Sequence, residues 1–265
     1  AADVIGKNIA RLARKTYVRR IELDSMVYIA LDESVSQINV TPVWNLDFNG
    51  SGVDVAVLDT GLFNHTNIPN IGIGYDFVEE DSFPQDDNGH GTLVAGIIAS
   101  NDTVYRGVAP GATIMPVKVL DEFGTGYTSD VIAGIEWSVD HGAEVISMSL
   151  GGEGNDGTTA LSEVADAAVA QGVVVVVAAG NDGPEYGTIC SPGDAKNVIT
   201  VGAINKNNKI AGFSSRGPTK DNRTKPDVVA PGVGIISTNI QGTFSSITGT
   251  RASTPHVSGS VALLL

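Results

Sequence analysis

Four polar residues stand where an acyl-transfer site would need them. Asp59 closes the apolar run Val53-Asp54-Val55-Ala56-Val57-Leu58, Ser149 lies within Glu144-Val145-Ile146-Ser147-Met148-Ser149-Leu150-Gly151-Gly152, and Asn181 follows the apolar run 173–179 and Gly180. His90 sits in Asn88-Gly89-His90-Gly91-Thr92. A carboxylate that orients an imidazole, with a carboxamide to donate to a developing oxyanion, supplies most of the machinery of acyl transfer. The pattern lacks a nucleophile. Taken singly, each residue also has a plain structural use: Asp59 could cap a turn, His90 could open a helix, and Asn181 could supply a left-handed turn before Asp182-Gly183.

To bring such residues together, the chain must alternate strands with helices. Residues 53–58 read as a buried strand ending at Asp59-Thr60-Gly61, 91–99 as a helix of small residues, and 112–120 as a second strand. A helix follows at 129–141 with Thr128 and Ser129 as candidate caps, then a strand at 144–150. Residues 158–171 form an Ala-rich helix ended by Gly172, and 173–179 are β-branched enough for a central parallel strand. Further short strands are expected at 198–204 and 227–229. This order predicts an α/β fold, a doubly wound, mostly parallel sheet with helices on both faces. Ligands of such sheets bind beyond the carboxyl ends of the strands, which is where polar residues that follow apolar runs fall.

The 265 residues carry 16 Lys+Arg against 30 Asp+Glu, a net charge of −14, with one Cys. That length fits one large α/β domain, or one with a short appendage. Charged residues are 17 %, below the roughly 25 % usual for soluble domains, and the 32 glycines are about 12 % against roughly 7 %. Such a chain buries a large core and needs many tight turns. The charge argues against nucleic acid or an anionic membrane as partner. The apolar runs at 173–179 and 261–265 are far too short to span a bilayer, so a soluble protein is expected. Cys190 alone forms no internal disulfide, which leaves the redox compartment open. The chain starts at Ala1 with no apolar leader core and stops inside an apolar helical pattern, as expected of a fragment of a longer precursor.

Asp59-Thr60-Gly61, His90-Gly91-Thr92-Leu93-Val94-Ala95-Gly96 and Gly249-Thr250-Arg251-Ala252-Ser253-Thr254-Pro255-His256 resemble, in this order, the Asp, His and Ser blocks of the subtilisin-like serine proteases. Gly107-Val108-Ala109-Pro110, Ser149-Leu150-Gly151-Gly152, Ala178-Ala179-Gly180-Asn181, Phe213-Ser214-Ser215-Arg216-Gly217-Pro218 and Lys225-Pro226-Asp227-Val228-Val229-Ala230-Pro231-Gly232 extend the likeness. The resemblance implies a serine endopeptidase acting on protein or peptide substrates. Asp59 would be the orienting acid, His90 the general base and Asn181 the side-chain oxyanion donor. It further implies that Ser149, Leu150 and Gly151 line one wall of the substrate cleft and Gly124 and Gly126 the other, both pairing with an extended peptide. Ala178, Ala179 and Gly180 would form a roomy, apolar pocket.

Where the family carries its nucleophilic Ser, this chain has Arg251. A guanidinium stays protonated and cannot attack a carbonyl. Ser253 lies two residues further, about 200° around a helix, and is expected to face away. Pro255 is expected within the first helical turn near Thr250, where its missing N–H costs little. Residues 1–20 hold six basic residues against one acidic, a balance of +5 that leaves −19 on the rest. Tyr17-Val18-Arg19-Arg20-Ile21-Glu22-Leu23-Asp24 resembles the last strand of the family's inhibitory propeptide, with a preceding helix over 3–15 and a mature domain over 31–265. The resemblance thus adds the chain's own propeptide, residues 1–30, as a partner, and implies a secreted, monomeric enzyme.

No cofactor is required for such chemistry, but structural calcium is a candidate ligand of the acidic loop Glu79, Glu80, Asp81, Asp86 and Asp87, for which a solvated loop is an equal reading. Asn67 stands where the family often has a calcium-binding Asp, and the loop 100–106 is short. Asn39, Asn64, Asn101 and Asn222 each open an N-x-Thr triplet. Cys190 is expected to be a thiol without function. Two functions compete: a protease precursor with its nucleophile replaced, and a pseudoprotease that holds extended peptides uncut. A metal-dependent hydrolase is excluded by the lack of His-Glu-x-x-His or comparable spacing.

Overall fold

In the computed structural model the chain divides into two units, Ala1–Ala30 and Leu31–Leu265. The structure describes Lys15 and residues 34–265, so the expected propeptide helix and strands lie outside the described residues. Among the described residues, two short helices, α1 (Ser34–Gln37) and α2 (Thr41–Trp44), come first. One sheet then gathers β1 (Asp54–Asp59), β2 (Tyr75–Asp76), β3 (Thr113–Lys118), β4 (Val145–Met148), β5 (Val174–Ala178), β6 (Ile199–Ile204) and β7 (Val228–Pro231). Their order is β2-β3-β1-β4-β5-β6-β7, and every neighbouring pair is parallel. Four longer helices cover the sheet: α3 (His90–Ala99), α4 (Thr128–Asp140), α5 (Ala160–Ala170) and α6 (Thr250–Leu264).

The strand period of two sorts the core into layers. Ala56 and Leu58 point, with Met115, Val117, Ile146, Met148, Val175 and Val177, toward Val131 and Ile135 of α4 and Leu161 and Ala165 of α5. Val55 and Val57 point the other way, with Ile114, Val145 and Val176, toward Val94, Ala95 and Ile98 of α3 and Ala262 of α6. Both faces are covered, which is why these strands read as apolar runs and not as alternation. The same parity turns Asp59 toward the α3 side. Beyond β1 the chain order runs one way to β3 and β2 and the other way to β4, and this reversal opens the crevice at the end of β1.

Expected and observed elements agree to within two residues at most ends, with three corrections. Neither Thr128 nor Ser129 caps α4: Thr128 is its first helical residue, and Tyr127 before it makes no side-chain cap bond. Thr159, by contrast, does cap α5, accepting from Ser162 N at 3.1 Å. A hairpin of β8 (Ile235–Thr238) and β9 (Phe244–Ile247), not expected from the sequence, packs on α3. Its hydroxyls are taken up there, Ser237 Oγ donating to Leu93 O at 2.7 Å and Thr238 Oγ1 to Thr92 O at 2.8 Å. Pro255 is the sixth residue of α6, not part of its first turn. Its missing N–H therefore leaves the Arg251 carbonyl without an intrahelical donor. Ser149 Oγ fills the gap, donating to Arg251 O at 2.9 Å.

Candidate active site

The turn after β1 and the start of α3 are built as one piece. A helix leaves its first N–H groups without intrahelical acceptors. Here Gly89 N donates to Asp86 Oδ1 at 2.7 Å, His90 N to Asn88 Oδ1 at 3.2 Å, Gly91 N to Thr60 Oγ1 at 2.9 Å and Thr92 N to Asp86 Oδ2 at 2.9 Å. Thr60 Oγ1 itself donates to Asp86 Oδ1 at 2.8 Å, which links the turn carrying Asp59 to the helix carrying His90. Gly91 permits the contact, because a Cβ there would strike Gly61 O. From below, the buried Lys118 ammonium donates to Thr60 O at 3.0 Å, Leu120 O at 3.1 Å and Asp87 Oδ1 at 2.8 Å.

This frame sets His90 Nδ1 2.7 Å from Asp59 Oδ1. Asp59 is fully buried, and Oδ1 also accepts Thr60 N at 2.8 Å. With Nδ1 donating to the carboxylate, Nε2 is left to face the cleft, buried and without a partner among the described residues. Burial disfavours the imidazolium, but the charge and hydrogen bond of Asp59 outweigh it, so the His90 pKa stands above its ordinary 6.5. The pair's protonation-linked stabilisation is therefore complete below about pH 6.5 and fades as pH rises through the elevated folded-state value. The Arg251 charge opposes the proton and that of Asp86 favours it. Arg251→Ala should accordingly raise the His90 pKa further in an NMR titration. An unchanged or lower value would mean that the guanidinium does not act on the imidazole.

At the start of α6, Gly249 N donates to Gly232 O at 2.9 Å and Thr250 N to Asn181 Oδ1 at 2.9 Å. Thr250 Oγ1 also reaches Asn181 Oδ1, at 3.2 Å. With its oxygen so occupied, Asn181 turns its NH2 outward. Among the described residues neither that NH2 nor the Arg251 backbone N–H has a partner. Two unpaired donors thus stand together. Arg251 is exposed, its Nε donating to Thr248 O at 3.3 Å. Ser253 is fully buried against Gly232, on the side away from the cleft.

Three depressions meet at Arg251. One of about 470 Å³ is lined by His90, by Gly124, Thr125 and Gly126, and by Ser149, Leu150 and Gly151. Another of about 820 Å³ runs past Ala178, Gly180, Asn181 and Cys190, and the third, about 470 Å³, past Asn239, Gln241 and Thr248. Ala179 does not line them: it is fully buried, and its carbonyl accepts Cys190 N at 3.2 Å. Gly126 lies so close to Val119 O that a side chain would not fit. Burial foremost, then the Asp182 charge, pushes the Cys190 thiol up to about 12, so it remains protonated and is no substitute nucleophile.

The carboxylates of the acidic loop do not converge on one cation site among the described residues. Asp86 is buried and spent on α3, Asp87 is paired with Lys118, and Asp81 Oδ1 accepts Phe83 N at 2.7 Å. No group of three or more His, Cys, Asp or Glu among the described residues is arranged to hold a metal. Asn67 directs its NH2 at Asn101 Oδ1 and Asp102 Oδ2, 3.4 Å from each. Asn39, Asn64, Asn101 and Asn222 are all exposed. Among the described residues, no helix is long and apolar enough to cross a membrane. Asp86, Thr60 and Lys118 are positioning residues that sequence reasoning missed, although Asp86 lies only four residues before His90.

Comparison with known proteins bears on this geometry. A match to the Subtilase family spans residues 50–265. The chain is 40 % identical to Subtilisin E of Bacillus subtilis (strain 168), over all of this chain and 70 % of that protein. It is 37 % identical to Serine protease AprX of the same organism, over 96 % of this chain and 66 % of that protein. The chain thus spans about two thirds of the length of these relatives. Among solved structures it is similar to a cold adapted subtilisin-like serine proteinase, with a TM-score of 0.74 and 38 % identity over 83 % of this chain and 77 % of that one.

Proposed function

Since the chain belongs to the subtilase family, we propose that it is a serine endopeptidase precursor whose chemistry is switched off at one side chain. The Asp59–His90 pair at 2.7 Å, facing two unpartnered donors across the start of α6, carries this reading. Asp59 holds the imidazole in the tautomer that leaves Nε2 free to take a proton. The Asn181 NH2 and the N–H of residue 251 would stabilise the oxyanion. Residue 251 would be the nucleophile, and a guanidinium cannot serve.

Substrate would lie extended between residues 124–126 and 149–151, whose backbone edges offer strand-like pairing. The Gly126, Leu150 and Gly151 backbone groups have no other partner among the described residues. The apolar depression past Ala178 and Gly180 would take the side chain before the cut. Residues 1–30 would be the propeptide, retained because no nucleophile is present to process the junction near Ala30, and the enzyme would act outside the cell, as a monomer and without a cofactor. A pseudoprotease that only binds peptides is the second reading, favoured by Arg251 itself. The intact His90 pair and donors weigh against it, because binding alone has no use for a base.

Intact mass spectrometry tests the assignment. The chain as written should keep its 27.3 kDa and resist organophosphorus serine reagents. Arg251→Ser should gain one reagent adduct at residue 251 and, untreated, release a fragment of roughly 30 residues by cleavage near Ala30. Adducts on both proteins, or on neither, would overturn the nucleophile assignment. An adduct without junction cleavage would overturn the propeptide.

A further inference from the structure

The residue that removes the nucleophile adds a recognition element. Arg251 lines all three depressions. Only its Nε is engaged, with Thr248 O, and neither terminal nitrogen has a partner among the described residues. A methyl group built on Gly249 would lie 3.1 Å from Arg251 Cγ, 3.2 Å from its Nε and 3.4 Å from Asn181 Oδ1, so the guanidinium stem and the Asn181 carboxamide flank the same small space. The Arg251 N–H opens α6 beside this space, the Asn181 carboxamide gives its oxygen to Thr250 and leaves its NH2 free, and the buried Nε2 of His90, unpartnered among the described residues, lines the adjoining cleft. Asp59 is committed to His90 and Asp86 to the start of α3, while Glu153, Asp156 and Asp182 line the depression of about 820 Å³ and form no ion pair with Arg251.

We propose that this cleft binds the free C-terminal carboxylate of a peptide lying extended between residues 124–126 and 149–151. One carboxylate oxygen accepts from the Arg251 N–H and the Asn181 NH2, and the other from the Arg251 guanidinium. The inference rests on the substrate path given above. An uncut peptide would place an amide N–H, a donor, against the guanidinium. A carboxylate presents acceptors on both sides and a charge that the guanidinium matches in a planar fork. The same substitution that abolishes cleavage therefore converts the site from one suited to an amide into one suited to a peptide acid.

Calorimetric titration with an N-acetylated, alanine-rich hexapeptide ending in Leu, as free acid and as C-terminal amide, tests this. The chain as written should bind the acid roughly tenfold or more tightly than the amide. The preference should shrink with added salt and vanish in Arg251→Gln, an exposed position where circular dichroism should show an unchanged fold. Equal affinities, a preference that survives in Arg251→Gln, or no measurable binding of the acid would overturn the inference. Its failure is separable from that of the protease reading: Arg251→Ser that hydrolyses the extended amide, beside a parent with no acid preference, sinks this inference alone.

Discussion

Peptide hydrolysis should rise by about 10⁶-fold in kcat on Arg251→Ser, a magnitude carried over from the loss that subtilisin itself suffers without this serine. The size follows from how the parts act. A base with no nucleophile and an oxyanion site with no tetrahedral intermediate each contribute little alone, so restoring one group recovers the whole unit. The geometry this expectation rests on is that, among the described residues, His90 Nε2 is unpartnered, Asp59 Oδ1 lies 2.7 Å from Nδ1, and Thr250 takes the Asn181 oxygen and leaves its NH2 free. Hydrolysis of a chromogenic peptide amide, with Arg251→Ala as a control that stays inactive, is the measurement. Activity equal in the chain as written and in Arg251→Ser, and equally blocked by a serine reagent, would exclude residue 251 as the nucleophile position.

The second large effect is expected at Asp86. Asp86→Ala strips the acceptor from Asn88 N, whose bond is part-buried, and from four buried donors, Gly89 N, Thr92 N, Thr92 Oγ1 and Thr60 Oγ1, in surroundings that admit little water. An unsatisfied buried donor costs about 1–3 kcal/mol. The four share one site and will partly relax together, so a loss of about 3–5 kcal/mol is expected. Urea denaturation should register it. Asp86→Asn should recover less than half, because its NH2 would turn a donor toward donors. In the Arg251→Ser background, Asp86→Ala should also lower kcat more than it raises KM, since the imbalance falls on the placing of His90 and not on the peptide walls. A stability loss under about 1 kcal/mol would show that water replaces the carboxylate and that the clamp is dispensable.

The difference between these two positions marks what could be read from the chain. Val55, Val57, Ile114 and Val176 announce buried strands because both faces of the sheet are covered, and the polar residue after such a run falls at the crevice whatever the details of packing. The places of Asp59 and Asn181 at the crevice were legible for that reason and that of His90 from its block, and the three blocks pointed to the family. Asp86 was not legible. It sits among Glu79, Glu80, Asp81 and Asp87, where composition suggests a solvated or cation-binding loop, and only the fold reveals that one carboxylate in five is buried. The β8–β9 hairpin escaped notice because its Ser and Thr residues look like loop chemistry until α3 supplies acceptors for them. Pro255 was misplaced for a related reason: the hydroxyl that compensates it, Ser149, lies 102 residues before the Arg251 carbonyl it serves.

The backbone of residue 251 is held by groups other than its own side chain. Ser149 takes its carbonyl, Asn181 and Gly232 hold the two residues before it, and the helix behind it is packed on the sheet by Ala262. A change of side chain at this exposed position should therefore leave the fold, and with it the fraction of unfolded protein open to degradation, nearly unaltered. Selection would act at position 251 through what the cleft cuts or binds, whereas at position 86 it would act through folding as well. Arginine and serine share codons that differ by a single base. A lineage could thus lose and regain the activity at this one position without repair anywhere else, leaving in the interval a stable, abundant protein available for another use.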